Sequence, residues 1–323
     1  MTYVTDERVR AAQWKQTTDT LPAEAKVPAA YMRGSGGVGV SLYDFCVPAQ
    51  YAELSLLPEV RATALELFSG LAISWHFGVG TGPSNHLLSS QVQCVNALAQ
   101  MVREPDRLTR AFGGVLGISK VLQIEPGRFL TFEYIGPTDY FGEASKGARI
   151  RGANCTSVDA AFLCRTTTGH TELILLEWKY TESYSARKPN MSSDAVRKAR
   201  YFDHWSAEGG SLLSSLVGFD DILQEPFYQL VRQQLLAQEL ERHHACGADR
   251  VRVLHVLSPA NTAYQRSIRR PGLLALGGTV SEAWSRLLRT PDRFLSVDSD
   301  LFLDPDITSP EYGARYGPAT VAS

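Results

Sequence analysis

Asp159 lies in the string Thr156-Ser157-Val158-Asp159-Ala160, and Glu177-Trp178-Lys179 follows eighteen residues after it. These charges sit inside two otherwise apolar runs, where burial is costly unless they are paired or bind an ion. Two carboxylates brought together repel each other unless a proton or a cation lies between them. An oxygen-preferring divalent ion, Mg²⁺ or in its place Mn²⁺, resolves that repulsion. Asp159 and Glu177 are then the candidate ligands, and the main-chain carbonyl of Trp178 can add another. Lys179 can orient or deprotonate a water and balance charge developing on a phosphate. This is equipment for metal-assisted hydrolysis of a phosphodiester. The plainer alternative is a structural ion pair at the end of a sheet.

The elements that must position the trio follow from hydropathy. Residues 157–164 (SVDAAFLC) and 172–180 (ELILLEWKY) read as strands around a polar, Gly-containing loop, which predicts an antiparallel hairpin. A hairpin symmetric about Thr168 sets Leu163 on Leu173, Ala161 on Leu175 and Asp159 on Glu177. Facing side chains stand roughly 5 Å apart at Cβ. Alternation keeps Lys179 on the face of Glu177 and puts Val158, Ala160, Phe162, Ile174, Leu176 and Trp178 on the other. Both faces are apolar, as in a central strand pair covered on two sides.

Helices are expected over 58–72, 84–101, 192–205, 226–246 and 280–288, with a short one near 7–16. The 84–101 helix opens on Ser84 and Asn85 as caps and ends before Pro105. Strands are expected over 118–124 and 128–135, joined by a turn at Pro126-Gly127. A further strand covers 250–257, and 294–303 is a last strand or loop. The fold class is therefore α/β, a central mixed sheet flanked by helices.

The 323 residues, 44% of them hydrophobic and 20% charged, suit one large or two smaller domains. The net charge of −2 gives no global basic signature, so a nucleic acid would be held by local patches. Five cysteines without CxxC spacing, and no apolar leader, point to a reducing cytoplasm. No run reaches the roughly 18–20 apolar residues of a membrane span. Residues 34–39 match GxGxxG without a preceding strand or a following helix, and read as a turn. His243, His244 and Cys246 lack the spacing of a zinc site. There is no GxSxG elbow and no P-loop.

With these elements in place, the chain resembles the restriction-endonuclease-like, or PD-(D/E)XK, nuclease superfamily over residues 84–260. The strings HLLSSQVQCVN (86–96), TSVDA (156–160), LLEWKYTESY (175–184) and PFYQLVRQQLLA (226–237) are similar to an incompletely characterised bacterial branch of it. The resemblance implies an αβββαβ core over 84–303, a helical N-terminal extension over 1–83 and a peripheral tail over 304–323. It implies Asp159 and Glu177 as metal ligands, Lys179 as catalytic lysine, and DNA as substrate in restriction or another defence system. Val158 stands where the family pattern has Pro. The acidic residue that many members carry on the first helix is missing, and Gln91, Glu133 and Glu143 are candidates to complete the metal shell. Glu182 and Tyr184 are candidates for the cleft edge. Arg187, Lys188, Arg197 and Arg232 are candidates for phosphate contacts, beside Tyr228 and Gln229 on the 226–246 helix; solvated or packed faces are the alternative for these. RNA stays open as the substrate polymer. Double-strand cutting by one such site calls for two copies, so a homodimer is expected. The runner-up reading is a nucleic-acid-binding protein of the same fold that does not cut.

Overall fold

A computed structural model describes residues 2–32, 38–144, 148–153, 155–184 and 191–318. Gly34 to Gly37 of the glycine motif, and Arg187 and Lys188, lie outside the described residues.

The elements run α1 (Tyr3–Thr17), β1 (Ala29–Met32), β2 (Val38–Tyr43), α2 (Pro58–Gly70), α3 (Ser90–Leu98), α4 (Pro105–Leu116), β3 (Ile118–Leu122), β4 (Leu130–Tyr134), β5 (Val158–Thr166) and β6 (Thr171–Lys179). They continue with α5 (Met191–Ser206), α6 (Phe227–Arg242), β7 (Arg250–Leu257), α7 (Thr262–Gln265), α8 (Pro271–Leu276), α9 (Val280–Leu287), β8 (Phe294–Asp298) and α10 (Pro310–Tyr316). Among the described residues, six strands make one mixed sheet in the order β3-β5-β6-β7-β8, with β4 also on β5. β5 and β6 are antiparallel; β6, β7 and β8 are parallel. The hairpin register is the expected one, with Ala160 on Leu176, Ala161 on Leu175 and Leu163 on Leu173. Two apolar cores account for the two-faced strands. One packs Ala160, Phe162, Ile174, Leu176 and Trp178 under α1, α2, α3, α4 and α10. The other packs Ala161, Leu163, Leu173 and Leu175 against α5, α6 and α9. Each fully buried large apolar side chain contributes about 1.5–3 kcal/mol, so β5 and β6 are the rigid base of the molecule.

Four expectations are corrected. The helix expected from Ser84 starts at Ser90, capped by Ser89, whose hydroxyl accepts from the Val92 N–H at 3.4 Å. Asn85 is occupied elsewhere: its amide donates to Ala30 O and Val47 O, both at 2.8 Å, and fastens 84–88 to β1 as a loop. Pro105 does not merely end that helix. It is the first residue of α4, where a missing N–H costs nothing, and left-handed Gly117 closes that helix at φ 64°. The Pro126-Gly127 turn joins β3 and β4, but only Glu125 and Arg128 bridge across it. Both strands dock on β5 instead, β3 on 163–166 and β4 on 158–162. Finally, the end of the chain is not a peripheral tail up to residue 318. Tyr312, Arg315 and Tyr316 of α10 are buried. Asn96 donates to Tyr316 Oη at 3.0 Å, and Arg315 donates to Ser55 O at 2.6 Å. Among the described residues no helix is long and apolar enough to cross a membrane.

Candidate active site

Strand register places the candidate residues before any contact is considered. The pairing of β5 with β6 ends at Ala160 and Leu176, so Asp159 and Glu177 are the next step of the same register. On the other side, β4 pairs Phe132 with Ala160 and Tyr134 with Val158, and Glu133 falls between them, level with Asp159. On β7, Glu177 is paired with His255. Glu133, Asp159, Glu177 and His255 thus form a row across four neighbouring strands.

Simple alternation fails in that row. Ala160 and Phe132 pack in the first core, yet Val158 and Tyr134 pack in the second. The expectation that Val158 shares a face with Ala160 is therefore corrected: the strands turn over at Asp159 and Glu133. The backbone shows how. Glu133 has φ +46°, a left-handed conformation that a residue with a long side chain adopts at a cost of roughly 1–3 kcal/mol. Its carboxylate repays part of that cost, accepting from Gln91 Nε2 and Ser157 Oγ, both at 2.9 Å.

Asp159 Oδ2 accepts from the Trp178 N–H at 2.7 Å. The side chain takes the place of a main-chain partner where strand pairing stops. Glu177 accepts from Lys179 Nζ at one oxygen and from Gln233 Nε2 at the other. Lys179 also donates to Gln229 Oε1 at 2.7 Å. Gln229 and Gln233 are four apart on α6, so one helix face meets the acid and its lysine. The Trp178 carbonyl accepts from Ser90 Oγ at 3.1 Å, and its indole N–H donates to Gln93 Oε1 at 2.8 Å. Among the described residues no three His, Cys, Asp or Glu side chains are grouped so as to hold a metal ion.

Electrostatics set the row apart. Burial, then the charge of Glu177, pushes the Asp159 carboxyl well above the usual carboxylate range. Burial does the same to Glu133, where the Gln91 and Ser157 hydrogen bonds oppose it and Glu177 adds to it, leaving its pKa at about 7. Burial alone would lower Lys179, but Glu177, with Tyr184 and Glu182, more than reverses this and holds the ammonium well above its usual value. His255, buried and facing the charge of Lys179, is pushed down to about 3 and is neutral. Its Nε2 meets Tyr264 Oη at 3.1 Å, while its buried Nδ1 has no hydrogen-bond partner among the described residues.

The other candidates divide. Glu182 accepts from the Tyr180 N–H at 2.6 Å and its charge bears on Lys179, which puts it at the edge of the site with Tyr184. Gln91 reaches Glu133, as described. Glu143 belongs to a separate cluster: it accepts from Thr156 N at 2.7 Å, Thr156 Oγ1 at 2.9 Å and Tyr201 Oη, with Arg232 3.5 Å away. Arg232 also donates to Thr156 Oγ1 at 3.1 Å. Arg197 lies over the Tyr228 ring at 3.9 Å and donates to Leu223 O at 3.0 Å. Sequence reasoning missed Gln233, His255, Ser157 and Glu225, a half-buried acid that feels the Lys179 charge. His255 left a signal, as the lone polar side chain in the inner part of RVRVLHVL.

Fold and site together define an α/β protein with a buried acid–lysine centre where its central strands part. A family model described as Restriction Endonuclease associating with ARP matches residues 8–316, and the chain belongs to that family. No curated protein and no solved structure matches the chain.

Proposed function

We propose that the protein is a metal-dependent endonuclease that hydrolyses phosphodiester bonds of DNA, in restriction or another defence setting in the cytoplasm. The observation that carries this reading is the row of Glu133, Asp159 and Glu177 with Lys179 beside it, in a chain of a restriction-endonuclease family. The segment from α3 through β4, β5 and β6 to β7 is read as the nuclease core, with residues 1–83 packed upon it.

The residues suit a hard cation. A bound cation would favour ionisation of all three acids, which with one ammonium would leave a net negative charge, and oxygen donors are what Mg²⁺ or Mn²⁺ prefers. Asp159 and Glu177 would hold the ion, with Glu133 supplying the acid that α3 lacks and the Trp178 carbonyl offering its second lone pair. When bound, such an ion polarises the phosphate and lowers the pKa of a water. Without an ion, the charge of Glu177 holds Lys179 well above its usual value; beside a bound ion Lys179 would orient the water and balance charge on the phosphate. Gln229 and Gln233 fix Lys179 and Glu177 from α6. Arg197 is assigned to the phosphate backbone, as are Arg187 and Lys188 from the sequence alone, whereas Glu143 and Arg232 are assigned a structural role. Association with ARP, the partner in the family's description, and a homodimer for double-strand cutting complete the expected assembly.

The second reading, a nucleic-acid-binding protein that does not cut, draws on one observation: the acids of the row are satisfied by Gln, Ser and Lys partners instead of converging on one point. Incubation of supercoiled, linear and single-stranded DNA and RNA with Mg²⁺, Mn²⁺ or chelator separates the two. Metal-dependent cutting by the wild type, absent in Lys179→Met and Asp159→Asn, supports the nuclease. Binding without cutting, unchanged in those variants, supports the silent fold.

A further inference from the structure

Next to the acid row lies a cavity of about 850 Å³ lined by Phe68, Trp75, Phe77, Ile73, Thr81 and Glu53. We infer that this cavity, with the Phe77 ring at its mouth, is a seat for an unpaired nucleobase of the nucleic-acid substrate. The inference rests on the nuclease reading of the row and adds a substrate class, single-stranded or locally opened nucleic acid.

The loop that forms the wall is built, not slack. Gly78 lies where a Cβ would come within 2.3 Å of Gly82 O, so only glycine lets the loop close this tightly. The closure leaves Phe77 at φ +49°, a strained conformation for a bulky residue, with the residue 45% exposed. Strained backbone of this kind collects at binding and catalytic sites, and here it displays a large ring. Trp75 is stacked on Phe68 with ring centres 3.8 Å apart, so the inner wall is flat and aromatic. Tyr31 meets Phe77 edge-on at 6.3 Å and extends the rim.

The wall is also the neighbour of the chemistry. Gln91, which donates to Glu133, accepts from the His76 N–H at 2.8 Å and donates to Ser74 O at 3.3 Å. One side chain therefore ties the loop to the acid. A Cβ on Gly152 would sit 3.0 Å from Ser74 O and 3.4 Å from Glu133 Cδ, so loop and acid approach across that glycine as well.

Charge selects the occupant. Among the described residues Glu53 is the lone charged side chain lining the cavity, and a carboxylate repels phosphate while accepting from the exocyclic amine of adenine or cytosine. With phosphate repelled by Glu53, the part of a nucleotide that the cavity suits is the uncharged base. Stacking on an aromatic ring is worth roughly 1–3 kcal/mol per base and needs an unpaired base.

The test is fluorescence anisotropy of the full chain in EDTA, so that nothing is cut. The probes are one mixed-sequence single strand, its duplex, and a single strand of the same length made of abasic sugar–phosphate. Wild type is expected to bind the single strand more tightly than either other probe. Phe77→Ala is expected to lose about tenfold on the single strand and to leave the abasic strand unchanged, and Phe77→Tyr to stay within about twofold of wild type. Thermal melting checks that both variants fold. Equal affinity of wild type for base-bearing and abasic strands, or no loss in Phe77→Ala, overturns the inference. A parallel cleavage assay with Mg²⁺ keeps the two ideas apart: stacking without cutting retains the seat and removes the nuclease, and Lys179-dependent cutting with no effect at Phe77 does the reverse.

Discussion

Glu143 and Glu133 are both buried, and both reach the residues that lead into β5, yet their surroundings differ. Glu143 receives a main-chain N–H, two hydroxyls and a nearby guanidinium. Glu133 receives a neutral amide and a hydroxyl, sits on left-handed backbone, and feels the repulsion of Glu177. The first is an acid whose charge is fully answered, and such groups hold structure. The second is an acid left short of positive charge, and strain and repulsion of that kind collect where a ligand is expected to supply what is missing. Burial alone does not separate them; the donor set does.

The contrast breaks first at the chemistry. Lys179→Met and Asp159→Asn are each expected to lower cleavage by about a thousandfold or more, on the scale of losing a transition-state contact worth ~4 kcal/mol. Glu143→Gln, measured as activity per folded molecule, is expected to stay within a few-fold of wild type. A collapse of activity in folded Glu143→Gln would erase the distinction.

Stability should separate the two acids in the opposite direction. Glu143→Ala strands the Thr156 and Tyr201 donors without their acceptor, at about 3 kcal/mol, read from the urea midpoint. Glu133→Gln should instead change the pH dependence. An ordinary Glu titrates at 4.5, and burial raises Glu133 to about 7. Between those values the folded chain holds a proton that the unfolded chain has released, so stability falls as pH rises through that window. Removing the carboxyl should abolish that fall, on the order of 3 kcal/mol between pH 4.5 and 7 in EDTA. Parallel pH–stability curves for wild type and Glu133→Gln would contradict the assignment. The smallest effect is expected at Gln91→Leu, about 1 kcal/mol of stability with a loss of activity near tenfold, since it frees the 74–82 loop from Glu133. An unaltered rate would show that the tether is idle.

Much of this was legible in the chain itself. Two-faced apolar strands around a Gly turn fixed the β5–β6 register, and with it the level of Asp159 and Glu177. Glu133 could be named but not placed, because its position depends on β4 docking on β5 instead of on β3, and on one left-handed residue. The α4 helix was hidden by reading Pro105 as a stop, when proline serves equally as a first residue. Gln233 was unreadable as a partner of Glu177 because a helix shows its own periodicity but not which strand it covers. The tail concealed Tyr312, Arg315 and Tyr316 among prolines and glycines.

That C-terminal helix carries one more consequence. α10 packs on α1, with Trp14 donating to Glu311 at 2.8 Å and Arg10 to Tyr316 O at 2.8 Å. α1 in turn accepts from Tyr180, the residue after Lys179, through Glu7 at 2.7 Å. The strand end that holds the lysine is thus braced by the first helix, and the first helix by the last. A chain emerging from the ribosome cannot finish this brace until residues 310–316 have been made. Synthesis itself therefore acts as a timer, and the centre becomes fully supported only once residues 310–316 have joined the fold.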